Sequence, residues 1–302
     1  MGLLKETCLM SNLNVSEEGV KYIQLEEDLI PDFEDAWIQQ KCILTPVEIG
    51  GINSTEPLAL AAMTGIPVSD SDLMGRAFPE LHMITTNMYG LSVYPAVSAT
   101  WNGKVFIFTE GPSGKAFEDC IRGLCVEQGC CMFFAESVMT FEEGKSYMIR
   151  DSISRAWRLG NSVIEARLKK RDCVKAAVSL ERGRLVATGK IIDVLRSTNK
   201  GFNRGYLILE SDMNQTIRID FQNENLLLRI ESEIIATTPD LICILETDTG
   251  EPVSTDVLRY GLRVSVVLMP PSPLLTSPEG LEIVGPKAFG YDNIEYKTSF
   301  DR

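Results

Sequence analysis

The period of the hydrophobic pattern changes near residue 183, and this change limits the possible folds more than any other feature. Before it, long segments such as 151–170 repeat apolar residues at helical spacing. After it the period is two, so that Ile217, Ile219 and Phe221 alternate with polar residues. The sequence predicts an α/β N-terminal domain, three-layered with a mostly parallel sheet, and a β-rich, barrel-like C-terminal domain.

The length allows two domains, since 302 residues exceed the roughly 100–200 of one domain. Residues 1–37 are acidic and weakly patterned, and we interpret them as a peripheral segment. We expect the α/β domain to occupy 38–175 and the β-rich domain to occupy 176–302. In the β-rich domain the strand-like runs are Leu185–Val194, Tyr206–Leu209, Thr216–Phe221, Leu226–Ile230 and Leu262–Met269.

Composition excludes several classes of protein. The net charge of −13 argues against nonspecific nucleic-acid binding, which needs a surface that neutralises phosphates. No apolar run reaches the roughly 18 residues of a membrane span. The chain has eight cysteines and no signal peptide, which indicates reduced thiols and a cytoplasmic location. His82 is the only histidine, so a site built from several histidines within one chain is excluded.

A strand–helix–strand pattern lies near the start of the α/β domain. We predict a strand over Lys41–Ile49, a helix that follows Gly50 and Gly51, and a second strand over Ile66–Asp70. Strands connected in this way run parallel, and ligands bind beyond their carboxyl ends.

Two carboxylates, Glu48 and Asp70, fall at those predicted strand ends. In a partly dry cleft they repel each other and one pKa rises, which gives an acid and a base, or a pair that holds a divalent metal. The amides of Gly50 and Gly51 suit an anion or a developing oxyanion. A plainer interpretation remains open: the carboxylates accept bonds from nearby backbone amides, and the glycines make a tight turn.

Charged residues are also dense over 72–82. Asp72 and Arg76 are four residues apart and can pair, and an arginine among carboxylates can orient a planar carbonyl ligand. Glu80 and His82 follow closely. The alternative is a structural cluster whose charges neutralise one another, with His82 in a structural or surface role.

A polar segment, 220–225, follows one of the C-terminal strands. Asn223 and Glu224 lie in it, and we expect them to line a cleft between the domains. An Asn-rich hairpin connection explains the same residues equally well.

Several of these segments together resemble the S-methyl thiohydantoin desulfurase-like family, over about residues 38–295. The segments that carry the resemblance are Pro46–Asn53, Asp72–Glu80, Asp220–Asn225, Pro239–Ile242, Leu258–Val264 and Gly285–Tyr291. The resemblance implies an α/β domain joined to a β-barrel-like domain. It also implies hydrolytic removal of the methylthio group from a thiohydantoin ring, and a hydantoinase or oxoprolinase protein as partner.

The expected function is hydrolysis of a small cyclic amide or thioamide, by water activated directly or through a divalent metal. The candidate catalytic residues are Glu48, Asp70, Asp72, Arg76 and Glu80. The candidate substrate-binding residues are Gly50, Gly51, Asn53, Asn223 and Glu224. We also expect a homo-oligomer. The metal and the exact substrate do not follow from the sequence.

The sequence departs from the family pattern at two places, and the first departure favours other functions. The glycine-rich loop with which the family usually begins is missing, so we expect a chain shortened at its start. An inactive relative that serves as a subunit of a hydantoinase, or a small-molecule-binding regulatory module, would then replace the enzyme. His82 stands where many relatives have glutamine, so no family role is transferred to it.

Overall fold

A computed structural model describes residues 13–17, 19–25, 42–199 and 202–300. These residues form two compact units that interleave along the sequence. Unit 1 comprises the described residues up to 45 together with 57–69 and 80–148, and unit 2 comprises 46–56, 70–79 and the described residues from 149 onward. Most of the predicted peripheral segment, 1–37, lies outside the described residues.

The secondary structure of the described residues is mixed in unit 1 and rich in strands in unit 2. The strands are β1 Leu13–Val15, β2 Lys21–Leu25, β3 Ser71–Asp72, β4 Ala96–Thr100, β5 Val105–Glu110, β6 Met132–Ala135, β7 Ile149–Arg150, β8 Arg184–Asn199, β9 Phe202–Ser211, β10 Thr216–Gln222, β11 Glu224–Ile230, β12 Glu233–Thr237, β13 Leu241–Glu246 and β14 Arg263–Met269. The α-helices are α1 Gly51–Thr64, α2 Thr85–Met88, α3 Lys115–Glu127, α4 Phe141–Gly144, α5 Ser152–Leu168, α6 Cys173–Leu180 and α7 Pro278–Val284, and 3₁₀ turns cover Pro273–Leu275 and Pro286–Phe289.

The sheet of unit 1 has the strand order β1-β2-β5-β4-β6, and each of its pairings is antiparallel. The predicted mostly parallel sheet is therefore not confirmed. Instead of two parallel strands at 41–49 and 66–70, the described residues form one isolated parallel bridge between Leu44 and Val68. Pro46 and Pro67 flank this bridge and donate no backbone hydrogen bond, which limits the ladder to a single rung. The helix between the two segments is confirmed as α1.

Aromatic residues form the core of unit 1. Phe106 and Phe108 are fully buried on one side of β5, where the period of two places them together. Phe117, Ile121 and Leu124 of α3 recur at helical spacing and pack against them. Phe117 meets Phe108 edge to face, with ring centroids 5.7 Å apart. This packing fixes α3 on the sheet.

Unit 2 contains a curled seven-stranded antiparallel sheet with the order β12-β11-β10-β9-β8-β14-β13. The predicted β-rich, barrel-like domain is confirmed as this half-barrel. Alternate residues such as Leu207, Leu209, Ile217 and Ile219 are fully buried and face one core. Register shifts interrupt four of the ladders, and such bulges increase the bend of a sheet.

Helices cover part of the half-barrel. Val174 and Ala177 of α6 pack on Leu245, Val267 and Met269, which belong to β13 and β14. The predicted long helix over 151–170 is confirmed as α5. Within the described ranges, no helix is both long and apolar enough to cross a membrane.

Candidate functional site

Glu48 is a buried carboxylate in the loop just before α1. Its Oε1 accepts a hydrogen bond from Nδ2 of Asn53, in the first turn of that helix, at 2.6 Å. The helix begins at Gly51, whose φ of +54° favours glycine. A side chain at Gly50 would place its Cβ 3.1 Å from that of Ala77. The two glycines thus let the chain turn closely beside the 70–79 segment and put Asn53 within reach of Glu48.

The pKa of Glu48 is raised from 4.5 to about 7. Burial is the largest cause, since it disfavours the ionised form, and the negative charge of Asp72 acts in the same direction. The hydrogen bond from Asn53 and the nearby backbone amide of Phe78 oppose the rise. Glu48 therefore titrates near neutral pH.

Asp72 shapes the turn after β3. Its Oδ2 accepts from the backbone amides of Met74 at 3.1 Å and Gly75 at 2.6 Å. Gly75 has a φ of +65°, and a Cβ there would lie 2.9 Å from the side chain of Ile149. Burial raises the pKa of Asp72, and its bonds to Gly75 and Met74 oppose that rise. Asp72 holds the turn that leads to Arg76, and its charge acts on Glu48.

Arg76 is a buried guanidinium whose donors point at main-chain carbonyl oxygens. Nη1 donates to Asp240 at 2.8 Å, Nη2 donates to Asn225 at 3.0 Å, and Nε donates to Ala77 at 3.2 Å. The guanidinium carbon also lies 4.9 Å from the ring centroid of Phe78. Arg76 thus ties the 70–79 segment to the half-barrel and brings a positive charge among its carboxyl groups.

Glu224 begins β11 and is the second carboxyl group that titrates near neutral pH. Its pKa is raised from 4.5 to about 7, mainly by burial. The charge of Arg76 lowers this pKa and the charge of Glu48 raises it. Among the described residues, the buried Oε2 of Glu224 has no hydrogen-bond partner, and the same holds for Oε2 of Glu48. We call Glu48, Asp72, Arg76 and Glu224 the Arg76 cluster.

The sequence-predicted residues divide into two groups. The first group is linked in unit 2 by the hydrogen bond and the charge effects described above, with Gly50 and Gly51 beside it at the start of α1; its members are Glu48, Asn53, Asp72, Arg76 and Glu224. Three others have contacts of their own, as follows.

Asp70 is exposed, and its Oδ1 accepts from the backbone amide of Ser154 in the first turn of α5 at 2.9 Å. This bond lowers the pKa of Asp70, which suits a residue that satisfies a helix amide. Asn223 has a φ of +56°, and its Oδ1 accepts from the amide of Asn203 at 2.9 Å. Both residues make the structural bonds that the plainer interpretations anticipated.

Glu80 belongs to unit 1. Its Oε2 lies 3.6 Å from Nζ of Lys115 and 3.4 Å from Nδ1 of His82. The pKa of His82 is lowered to about 4, first by burial and then by the charge of Lys115, so His82 is neutral at pH 7. Also in unit 1, the buried Glu118 accepts from Nε of Arg122 at 2.5 Å and from the amide of Leu81 at 2.8 Å. We call Glu80, Lys115, Glu118 and Arg122 the Glu118 cluster.

Sequence reasoning missed Asp240. It is fully buried, and it accepts from the hydroxyl of Tyr296 at 2.7 Å while its carbonyl oxygen accepts from Arg76. Its only sequence signal was its place in the Pro239–Ile242 segment. No group of three or more histidine, cysteine or acidic side chains within the described ranges is arranged to hold a metal ion.

The protein is thus a two-domain α+β protein whose half-barrel supports a cluster of carboxyl groups and one arginine. Comparison with known families identifies the family to which it belongs. The family model described as S-Me-THD-like, N-terminal domain, matches residues 8–110, and the model described as S-Me-THD-like, C-terminal domain, matches residues 112–299. The chain belongs to the S-Me-THD-like family. The N-terminal match includes most of the acidic segment that the sequence resemblance left out.

A solved structure has a similar fold. The crystal structure of a protein from Chromobacterium violaceum matches with a TM-score of 0.67 and 22% sequence identity, over 85% of this chain and 73% of that one. At this identity the likeness concerns the fold alone. No curated protein matches the chain.

Proposed function

We propose that the protein is a hydrolase that acts on a small cyclic amide or thioamide, such as an S-methyl thiohydantoin, with Glu48 and Glu224 as its proton-transfer pair. One observation carries the proposal. The carboxyl groups of the buried Glu48 and the half-buried Glu224 both have a pKa of about 7, and the charge of Glu48 raises the pKa of Glu224. Each group keeps one buried oxygen that has no hydrogen-bond partner among the described residues. Such a pair can hold one proton at neutral pH and leave the second group ionised.

The neighbours of the two carboxyl groups suggest which one is the base. After burial, the largest effect on Glu224 is the positive charge of Arg76, which favours its ionised form against the opposing charge of Glu48. Among the described residues of the cluster, the charge that acts on Glu48 is that of Asp72, which disfavours its ionised form against the hydrogen bond from Asn53. We therefore assign Glu224 as the base that takes a proton from water and Glu48 as the acid. This differs from the sequence-based hypothesis, in which Glu48 with Asp70 or Asp72 activates the water and Glu224 has a substrate-binding role.

The hydrolytic step is balanced by these two groups. Water loses a proton to Glu224 and its oxygen bonds to the ring carbon that carries the methylthio group. The electron pair of the ring C=N bond moves to the ring nitrogen on attack and returns as the carbon–sulfur bond breaks. The departing sulfur takes the proton of Glu48, which releases methanethiol. The proton that remains on the new oxygen passes to the ring nitrogen, which leaves a ring carbonyl and an N–H, and Glu224 returns its proton to Glu48 for the next turnover. The unpartnered acceptor oxygens also suit the ring N–H of such a substrate, because a buried acceptor without a donor costs about 1–3 kcal/mol.

Arg76 and Asp72 are positioning residues in this proposal. The guanidinium of Arg76 is engaged with backbone carbonyls, and Oδ2 of Asp72 is engaged with the turn at Met74 and Gly75. Both act on the substrate through the carboxyl groups. Free amides of Gly50 and Gly51 at the start of α1 are the proposed donors to the ring carbonyl.

The test is turnover of S-methyl thiohydantoins and hydantoins, followed by thiol release and by chromatography of the ring product. Glu48→Gln and Glu224→Gln should each lower kcat by about 10²–10⁴-fold, because each removes one proton-transfer group. The matched control is Asp70→Asn, an exposed carboxylate of the same unit, which should keep wild-type turnover.

Wild-type rates in both glutamine variants would contradict the assignment. Binding of the ring compounds by the unaltered protein with no product would replace the hydrolase by a binding module. In that case, co-purification with a hydantoinase or oxoprolinase protein would identify a non-catalytic subunit.

A further inference from the structure

The end of α3 has the hydrogen bonds of a Schellman motif. The amide of Cys130 donates to the carbonyl of Cys125 at 2.7 Å, and the amide of Gly129 donates to the carbonyl of Val126 at 3.3 Å. Gly129 has a φ of +92°, the left-handed conformation that this motif requires. The chain therefore turns back on itself within the last turn of the helix.

This motif brings two cysteines together. In a Schellman motif, the side chain three positions before the cap commonly contacts the one that follows the glycine, and here both are cysteines, Cys125 and Cys130. Each is a free thiol; Cys130 is exposed and Cys125 is half-buried. Burial raises the pKa of Cys125, and the charge of Cys130 raises it further, ahead of the smaller effect of Cys131; this order agrees with Cys130 as the nearer of the two sulfurs.

We propose that Cys125 and Cys130 form a redox-active dithiol, which small-molecule disulfides such as glutathione disulfide convert to an intramolecular disulfide. The hydrogen bond from the amide of Cys130 to the carbonyl of Cys125 places the two backbones beside each other, and a disulfide needs backbones that are this near, with Cα atoms about 4.4–6.8 Å apart. The site is in unit 1, and it does not involve the residues assigned to hydrolysis.

The exchange consumes one small disulfide and yields two small thiols. The exposed Cys130 loses its proton, and its thiolate attacks one sulfur of the small disulfide, which expels the first small thiolate. Cys125 then loses its proton and attacks Sγ of Cys130 in the mixed disulfide, which expels the second. The two cysteines are oxidised by two electrons, the small disulfide is reduced by two, and the two protons go to the released thiolates.

The experiment treats the reduced full-length protein with glutathione disulfide and then blocks the remaining thiols. We expect two of the eight thiols to be lost. Peptide mapping should find Cys125 linked to Cys130. Retention of both thiols, or a link between Cys130 and Cys131, would overturn the proposal.

Variants separate the two steps. Cys125→Ser should stop at a stable glutathione adduct on Cys130, because the second thiol is missing. The matched control is Cys131→Ser, since Cys131 is equally exposed and adjacent in sequence but outside the motif; it should still form the internal disulfide. Failure of Cys131→Ser to form it would assign the chemistry to Cys131 and contradict the proposal.

A backbone variant tests the geometry without removing a thiol. Gly129→Ala introduces a methyl group whose nearest neighbour, Nε1 of Trp101, is at 3.9 Å, so its effect comes from the φ of +92° and not from a clash. We expect slower disulfide formation and more mixed disulfide. Unchanged yield and rate in this variant would show that the motif does not align the two sulfurs.

Discussion

The Glu118 cluster of unit 1 and the Arg76 cluster of unit 2 each hold acidic side chains near a cation, and they do so in opposite ways. In the Glu118 cluster of unit 1, the cations are half-exposed side chains of α3, and they pair with the carboxylates: Arg122 with Glu118, and Lys115 with Glu80. In the Arg76 cluster of unit 2, the cation is buried and gives its donors to backbone carbonyls. Glu48 and Glu224 therefore keep unpartnered oxygens.

The difference shows what separates a structural ion pair from a poised carboxyl group. A carboxylate that receives a direct charged hydrogen bond, as Glu118 does from Arg122, has partners for its buried oxygens. A carboxyl group that feels a cation only across space, while it is buried, titrates near neutrality. Which outcome occurs depends on whether the arginine donates to the carboxylate or to backbone carbonyl oxygens, more than on the number of charges present.

The largest expected effect on stability comes from Arg76. Arg76→Met leaves the carbonyls of Asn225 and Asp240 without their donor, and should lower the free energy of unfolding by about 3 kcal/mol. Arg122→Met should cost less, about 1–2 kcal/mol, because Glu118 keeps the amide of Leu81. Urea denaturation of both variants measures the two losses. Equal losses would remove the distinction between the two arginines.

Substitution of Glu48 should have a smaller effect of opposite sign on the free energy of unfolding, because its pKa is raised in the folded state. The pKa of Glu48 in the folded state, about 7, is above its ordinary 4.5, so the folded state binds the proton more tightly and stability falls as pH rises between these values. Glu48→Gln removes this penalty and should raise the free energy of unfolding by about 1–3 kcal/mol near pH 8, with no gain near pH 4.

Glu224→Gln should show the same dependence on pH, since its pKa is also raised to about 7. Glu118→Gln should instead lose stability at neutral pH, because the ion pair with Arg122 disappears. Denaturation curves across the pH range compare the three variants. A stability gain in Glu118→Gln, or none in Glu48→Gln, would reverse the contrast between the clusters.

The smallest effect belongs to Lys115, a half-exposed cation that lies near Asp119 and Glu80. Water screens such pairs, so Lys115→Gln should change the free energy of unfolding by no more than about 0.5 kcal/mol. Thermal denaturation at low and high salt gives the value. A loss comparable to that of Arg76→Met would mean that surface pairs hold unit 1 together.

Local patterns predicted the elements that depend on local sequence. The glycine pair before α1, the helical spacing of α5 and the alternation along β10 each correspond to an observed element. Glu48 was chosen as a carboxylate at a predicted strand end, and Asp72 and Arg76 as a charged pair four residues apart. Glu224 was chosen as part of a polar segment after a strand, and charge effects link it to Arg76 and Glu48 in the structure. The family resemblance is confirmed by both matched domains.

Local patterns did not predict the contacts between residues that are far apart in the sequence. A parallel sheet was inferred from strand–helix–strand spacing, but two prolines leave only the Leu44–Val68 bridge. Asp70 was grouped with Glu48 on that basis, whereas its partner is the amide of Ser154, 84 positions further along the chain. The sequence did not single out Asp240, because one acidic residue after a proline is not a distinctive pattern. Its role follows only from the structure, in which Arg76 donates to its carbonyl oxygen.

The interleaving of the units along the sequence affects how the protein can be divided into fragments. The two matched family domains meet between residues 110 and 112, which looks like a natural place to separate them. A fragment that begins there carries Glu224 and Asp240 but lacks 46–56 and 70–79, and with them Glu48, Asp72 and Arg76. Neither fragment alone would contain the whole cluster, so complementation of split halves would need both pieces to fold together.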